Sequence, residues 1–154
     1  MVIRESGILF RGFTLVFARY HQTSDDKIDK DLRSALLTAL LNFAESAFAK
    51  DSIEYFEMKR YAISFVESKI RSEDDPETEP IIAYVILDKE KKMDKHLSKV
   101  VIPALKEALR QFKEQFEGKN LSEISQFQNF KAKLDEIFGS ETKTIDERLK
   151  GTLF

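Results

Sequence analysis

Seven consecutive residues, Ile81-Ile82-Ala83-Tyr84-Val85-Ile86-Leu87, run between Pro80 and Asp88 without a polar interruption. A strand with one wet face alternates in polarity, so this unbroken run predicts a strand covered on both sides, at the centre of a sheet. Such a strand requires a layer of structure on each face. The chain has the material for it: 154 residues, 42% of them hydrophobic, suffice for one compact domain. The 25 Lys and Arg nearly cancel the 27 Asp and Glu, leaving a formal charge of -2 and no electrostatic basis for generic nucleic-acid binding. The absence of cysteine excludes disulfides, thiolate metal sites and cysteine nucleophiles, and it fits a reducing cytoplasm. No apolar run approaches the roughly 18 residues of a membrane helix, and the polar Arg4-Glu5 close to Met1 is unlike a signal core. A cytosolic location is the expectation.

The partners of the central strand lie on both sides of it in sequence. From Ile8 to Tyr20 the residues are apolar, aromatic or β-branched apart from Arg11, Gly12, Ala18 and Arg19, which predicts extended chain. Two hairpins fit: a turn at Glu5-Ser6-Gly7 after a short Val2 to Arg4 strand, or a turn at Arg11-Gly12 between Ile8 to Phe10 and Phe13 to Tyr20. After Asp51, Ile53 and Tyr55 alternate with Glu54, and Lys59-Arg60 turns the chain into Tyr61, Ile63 and Phe65, the pattern of an antiparallel hairpin. Ser72 to Pro80 carries five acids between its residues and no apolar one, and reads as a solvated loop.

Helices fill the remainder. Ser24-Asp25-Asp26 offers capping oxygens and negative charge to a helix over Lys27 to Ala49. Its apolar face is double, with Leu32, Leu36, Leu40, Phe43 and Ala47 on one stripe and Leu37, Leu41, Ala44 and Phe48 on another, wider than one sheet contact needs. From Lys91 to Phe116 the positions Met93, Leu97, Val101, Ala108, Phe112 and Phe116 repeat at helical spacing, and Gly118 is placed to end the run. Pro103 falls inside it, where its ring crowds the Lys99 carbonyl, which predicts a bend or a helix in two pieces. Ser125 and Gln128 have capping-box spacing before Phe127, Phe130, Leu134, Ile137 and Phe138, a third helix stopping at Gly139. The expected core sets Ile82, Val85 and Ile86 against Leu36, Leu40 and Phe43 on one side and Leu105, Phe112 and Phe130 on the other.

The order strand-strand-helix-strand-strand-strand-helix-helix resembles that of longin domains, and more closely the stand-alone longin-like proteins of archaea, grouped with roadblock domains as profilin-like. The likeness is carried by Ser6-Gly7-Ile8, by Asp29 to Ala44 in the first helix, by Ile53-Glu54-Tyr55 before Tyr61 to Phe65, by Ile86-Leu87-Asp88-Lys89 and by Phe127-Gln128-Asn129-Phe130. It covers about residues 2 to 139, leaving 140–154 as a tail. What the resemblance implies is an α+β fold: a five-stranded antiparallel sheet, one helix on one face and two on the other. It also implies no catalysis, with a small GTPase or another longin- or roadblock-like protein as partner, trafficking-type adaptor roles, and frequent dimers joined through a helix and an edge strand.

The residues themselves offer little chemistry. Gly7 to Thr14 has P-loop glycine spacing, yet Phe13 stands where lysine is needed and no helix follows. Arg11-Gly12-Phe13 with Val16 echoes an RNA-binding strand, but Leu15 and Ala18 occupy the stacking positions. His21 and His96 lack catalytic context and read as surface residues. The acids of Glu73 to Glu79 lack the glycine and ligand spacing of a calcium loop, and Lys89, Lys91, Lys92, Lys95 and Lys99, interspersed with Glu90 and Asp94, read as a solvated helix start. No catalytic, cofactor or metal site is expected.

Two functions fit this picture. The first is an interaction module binding a GTPase or forming a homodimer through Leu37, Leu41 and Phe48 of the first helix and Phe56 of the following strand, which the resemblance puts at the sheet edge. The alternative is a small-ligand sensor of profilin-like architecture, which would need convergent polar groups between sheet and helix. The strands offer mainly Ile, Val, Phe and Tyr there, which favours interaction.

Overall fold

The computed structural model describes residues 3–20, 54–57 and 61–139, the strand at 54–57 by its backbone alone. The fold is mixed α+β. Strands β1 (Ile3–Phe10), β2 (Phe13–Arg19), β3 (Glu54–Glu57), β4 (Tyr61–Arg71) and β5 (Thr78–Asp88) form an antiparallel sheet in the order β2-β1-β5-β4-β3. The apolar run is thus the middle strand, between β1 and β4.

Of the two turns the sequence allows for the first hairpin, the structure takes Arg11-Gly12. Both residues have positive φ, 51° and 80°, as a two-residue turn matched to strand twist requires. For Arg11 this backbone is unfavourable, and its side chain is held in place: the guanidinium lies 4.9 Å from the Phe10 ring centroid and binds Glu79 and Asp74. A bulge then places Leu15 outside the register between Thr14 and Val16, so that Leu15 and Val16 are both buried. This extra residue is why the stretch shows no clean alternation.

The acidic segment is shorter as a loop than the sequence suggests. Strand β4 continues to Arg71 and β5 starts at Thr78, pairing Arg71 with Thr78 and Lys69 with Pro80. Pro80 is tolerated because β1 reaches β5 only as far as Ile81, so the proline ring sits where the strand is locally an edge.

Helix α1 (Ile102–Phe116) and helix α2 (Lys131–Phe138) lie over one sheet face. At Pro103 the helical run changes type. An α turn (Asp94–His96) leads into a π-helical turn (Leu97–Val101), which runs directly into α1, the Ile102 N–H donating to the Leu97 carbonyl. The wider turn makes room for the ring near the Lys99 carbonyl, and Pro103 sits in the first turn of α1, where its missing N–H is least costly. Gly118, at φ 83°, ends the helix and donates its N–H to the Arg71 carbonyl.

The capping box before α2 does not form. Ser125 Oγ donates to Glu123 Oε1, and a 3-10 segment (Ile124–Phe130) precedes α2. Three-residue periodicity explains the choice, since it aligns Phe127 and Phe130 on the same side, where both are buried. Their rings pack on Phe112 at 5.4 and 5.2 Å, and Phe116 closes the group 4.9 Å from Phe127. Ile8, Phe10, Ile81, Ala83, Val85 and Leu87 supply the sheet side of this core.

Of the expected core residues, Val85, Ile86, Leu105, Phe112 and Phe130 are buried and Ile82 is half-buried. Leu36, Leu40 and Phe43 lie outside the described residues, as do the 27–49 helix, the Lys59-Arg60 turn, His21 and the 140–154 tail.

Candidate functional site

Pleating sends Tyr84 and Ile86 of β5 away from the helices, to a second face. They share it with Ile63 and Phe65 of β4, and all four are at most 2% exposed. Register aligns cross-strand rows over this face: Phe56, Ile63, Ile86, Glu5 and Arg19 in one, Glu54, Phe65, Tyr84, Gly7 and Phe17 in the next. The hydrophobic cluster joined by the helices contains Ile81, Ala83, Val85 and Leu87 but neither Tyr84 nor Ile86.

At the β1 end of this face sits a polar group. The Glu5 carboxylate is buried; the Tyr84 hydroxyl donates to its Oε2 at 2.5 Å and Arg19 Nε donates to its Oε1 at 3.1 Å. Gly7 makes the arrangement possible, because a Cβ there would stand 2.6 Å from the Tyr84 ring. Gly7 therefore belongs neither to a turn nor to a phosphate loop; it lets an aromatic ring lie on the strand beside it. Sequence reasoning missed this group, although a lone glycine inside an apolar strand signals close approach. Chemically, each carboxylate oxygen already accepts a charge-assisted or phenolic hydrogen bond, so the group fixes the strands rather than presenting a reactive acid.

The predicted interface residues are not brought together by the described structure. Leu37, Leu41 and Phe48 lie outside it. Phe56 is on β3, the outermost strand, in register with Ile63. The other outermost strand, β2, carries Phe13 and Phe17, which are 67% and 41% exposed.

Charged groups collect at the two ends of β5. At its start, Arg11 grips Glu79 through Nε and a terminal nitrogen at 2.9 and 2.5 Å, and Asp74 through both terminal nitrogens at 3.1 Å. The guanidinium, through its hydrogen bonds to the carboxylate, lowers the Asp74 carboxyl to about 2. The acidic segment is thus more than a solubilising loop, since two of its carboxylates tie it to the β1–β2 turn. At the far end, Lys89, Lys91, Lys92, Lys95 and Lys99 are all exposed, while His96, expected on the surface, is partly buried. On the helical face Ser6 and Tyr20 hydroxyls are 2.7 Å apart, and burial raises the Tyr20 phenol well above its usual range.

Gly7 to Thr14 is strand, turn and strand, with no helix to cradle a phosphate. Among the described residues no group of three His, Asp or Glu is arranged to hold a metal ion, and no helix is long and apolar enough to cross a membrane. No family model, no curated protein and no solved structure matches the chain.

Proposed function

We propose that the chain is a non-enzymatic, cytoplasmic protein-interaction module of longin-like architecture, binding a small GTPase or a longin- or roadblock-like protein, itself included as a homodimer. The observation that carries this reading is the position of β3: among the described residues the strand bearing Phe56 is the outermost one, with β4 its neighbour. An outermost strand offers backbone donors and acceptors to a partner, and apolar side chains beside it exclude water.

The finer layering, one helix on one face and two on the other, rests on connectivity. Chain leaving β2 at one edge must reach β3 at the other, crossing about 20 Å of sheet. The helical face is already occupied by α1 and α2, and a helix over 27–49 spans about 35 Å. Laid across the second face, such a helix would have one apolar stripe for Tyr84, Ile86, Ile63 and Phe65 and a second stripe left over for a partner. The Glu5 carboxylate supports interaction over ligand sensing, because each of its oxygens is engaged within the sheet, by Tyr84 and Arg19.

Leu41→Glu and Phe56→Glu, made separately, should each give a folded monomer that no longer captures the GTPase or second copy retained by the wild type, measured by light scattering and pull-down. Full association by both variants would place the interface elsewhere, and unfolding of both would assign these residues to the core. Hydrolysis of GTP or ATP above a blank by the purified chain would refute the non-enzymatic reading.

A further inference from the structure

We infer that the lysine-rich end of the molecule is an attachment surface for an anionic lipid bilayer, an inference independent of the interaction module and its partner. The segment 89–99 holds five lysines against two acids, Glu90 and Asp94, and every lysine is exposed. The backbone displays them: Lys92 has a positive φ of 59°, turning the chain sharply between β5 and the helix. The π turn leaves Ser98, Lys99 and Val100 exposed in succession, adding an apolar contact beside the cations. Among the described residues, Lys91, Lys92, Lys95 and Lys99 enter no ion pair.

The kind of cation selects the partner. All five are lysines and none is arginine. Protein interfaces are enriched in arginine and depleted in lysine, because a desolvated carboxylate needs a planar fork. Nucleic-acid binding would add aromatic stacking, and 89–99 holds no aromatic residue but His96, which is partly buried. Flexible ammonium groups that stay hydrated suit a diffuse negative surface such as a leaflet rich in phosphatidylserine, where each adds about 1 kcal/mol, roughly fivefold in affinity.

The rest of the molecule orients the contact. The eleven residues of β5 separate the lysines from the acidic 72–79 segment by about 35 Å. The lysine end therefore faces the bilayer and the acidic end, with the Arg11 turn, points away, despite a net charge of -2 for the whole chain.

Vesicle flotation of the full chain tests this directly. Binding is expected to vesicles of phosphatidylcholine with about 30 mol% phosphatidylserine, to be absent on phosphatidylcholine alone, and to be released by about 0.5 M salt. Lys91→Glu, Lys95→Glu and Lys99→Glu combined should abolish it, the three Lys→Gln changes should weaken it at least about a hundredfold, and Glu73→Gln with Glu77→Gln should not weaken it. Circular dichroism melts confirm that each variant is folded. The inference fails if wild type ignores the anionic vesicles at low salt, if folded lysine variants bind as wild type does, or if polyglutamate or RNA is bound while vesicles are not.

Discussion

The two faces of the sheet solve the same problem with different chemistry. The helical face is closed by phenylalanine on phenylalanine, with Phe127 and Phe130 each in ring contact with both Phe112 and Phe116, in one cluster with Val85 and Ala83. Its geometry comes from shape and area, and aromatic rings at edge-to-face angles tolerate small adjustments. The second face combines Ile63, Phe65 and Ile86 with a buried carboxylate that is bound by a phenol and a guanidinium. There, direction matters as much as area, because a misplaced donor would leave a charge unpaired away from water. One face is built for bulk and the other for registration of β1 against β5 and β2.

Substitutions can break this contrast, and the largest effect belongs to bulk. Phe112→Ala, at a position fully buried among three rings, should cost about 3 to 5 kcal/mol in denaturant unfolding; a cost near zero would mean that the face collapses without it. On the other face, Tyr84→Phe removes a single oxygen yet withdraws a donor from the Glu5 carboxylate, with an expected cost of about 1.5 to 3 kcal/mol. A Tyr84→Phe, Glu5→Leu pair that is more stable than Tyr84→Phe alone would show that the unpaired charge, rather than lost packing, carries that cost. Gly7→Ala adds one methyl where the Tyr84 ring already lies and should destabilise by about 1 to 3 kcal/mol, with an altered near-ultraviolet tyrosine signal.

The smallest effect is at the Arg11 clamp, which is solvent-exposed and screened. Asp74 is held at about 2, below its ordinary 3.8. A depressed carboxyl contributes stability that is present above the ordinary value and lost as pH falls through the folded one. Melting temperatures of wild type and Arg11→Gln should therefore differ by a constant amount near neutral pH and converge between about pH 4 and pH 2. Persistence of the gap at pH 2 would show that Arg11 acts through its turn and the Phe10 ring instead.

What was legible in the sequence follows the same division. Apolar periodicity identifies Leu105, Phe112 and Phe130, and an unbroken run identifies β5, because burial leaves its mark on residue type. The Arg11-Gly12 turn was one of two open choices, since a bulge at Leu15 hides the alternation that would have decided it. The π turn was invisible for another reason: Pro103 announces a conflict in the helix without saying how the chain resolves it. Glu5, Gly7 and Tyr84 are far apart in sequence and meet only through the β1–β5 register, which no local pattern encodes. Of the candidate interface, only the edge position of Phe56 is described.

The β1–β5 pairing also sets the order of events during synthesis. Ile3 faces Leu87 and Phe10 faces Ile81, so β1 has to wait for β5, made about seventy residues later. At about 5 to 20 residues per second, the β1–β2 hairpin spends roughly 4 to 15 seconds without its inner neighbour. During that interval Ile8 and Leu9 have no sheet to enter, and closure of the long loop delays their pairing further. A nascent chain stalled before Ile81 emerges should thus be a good substrate for hydrophobic-binding chaperones, and one stalled well beyond Phe138 a poor one.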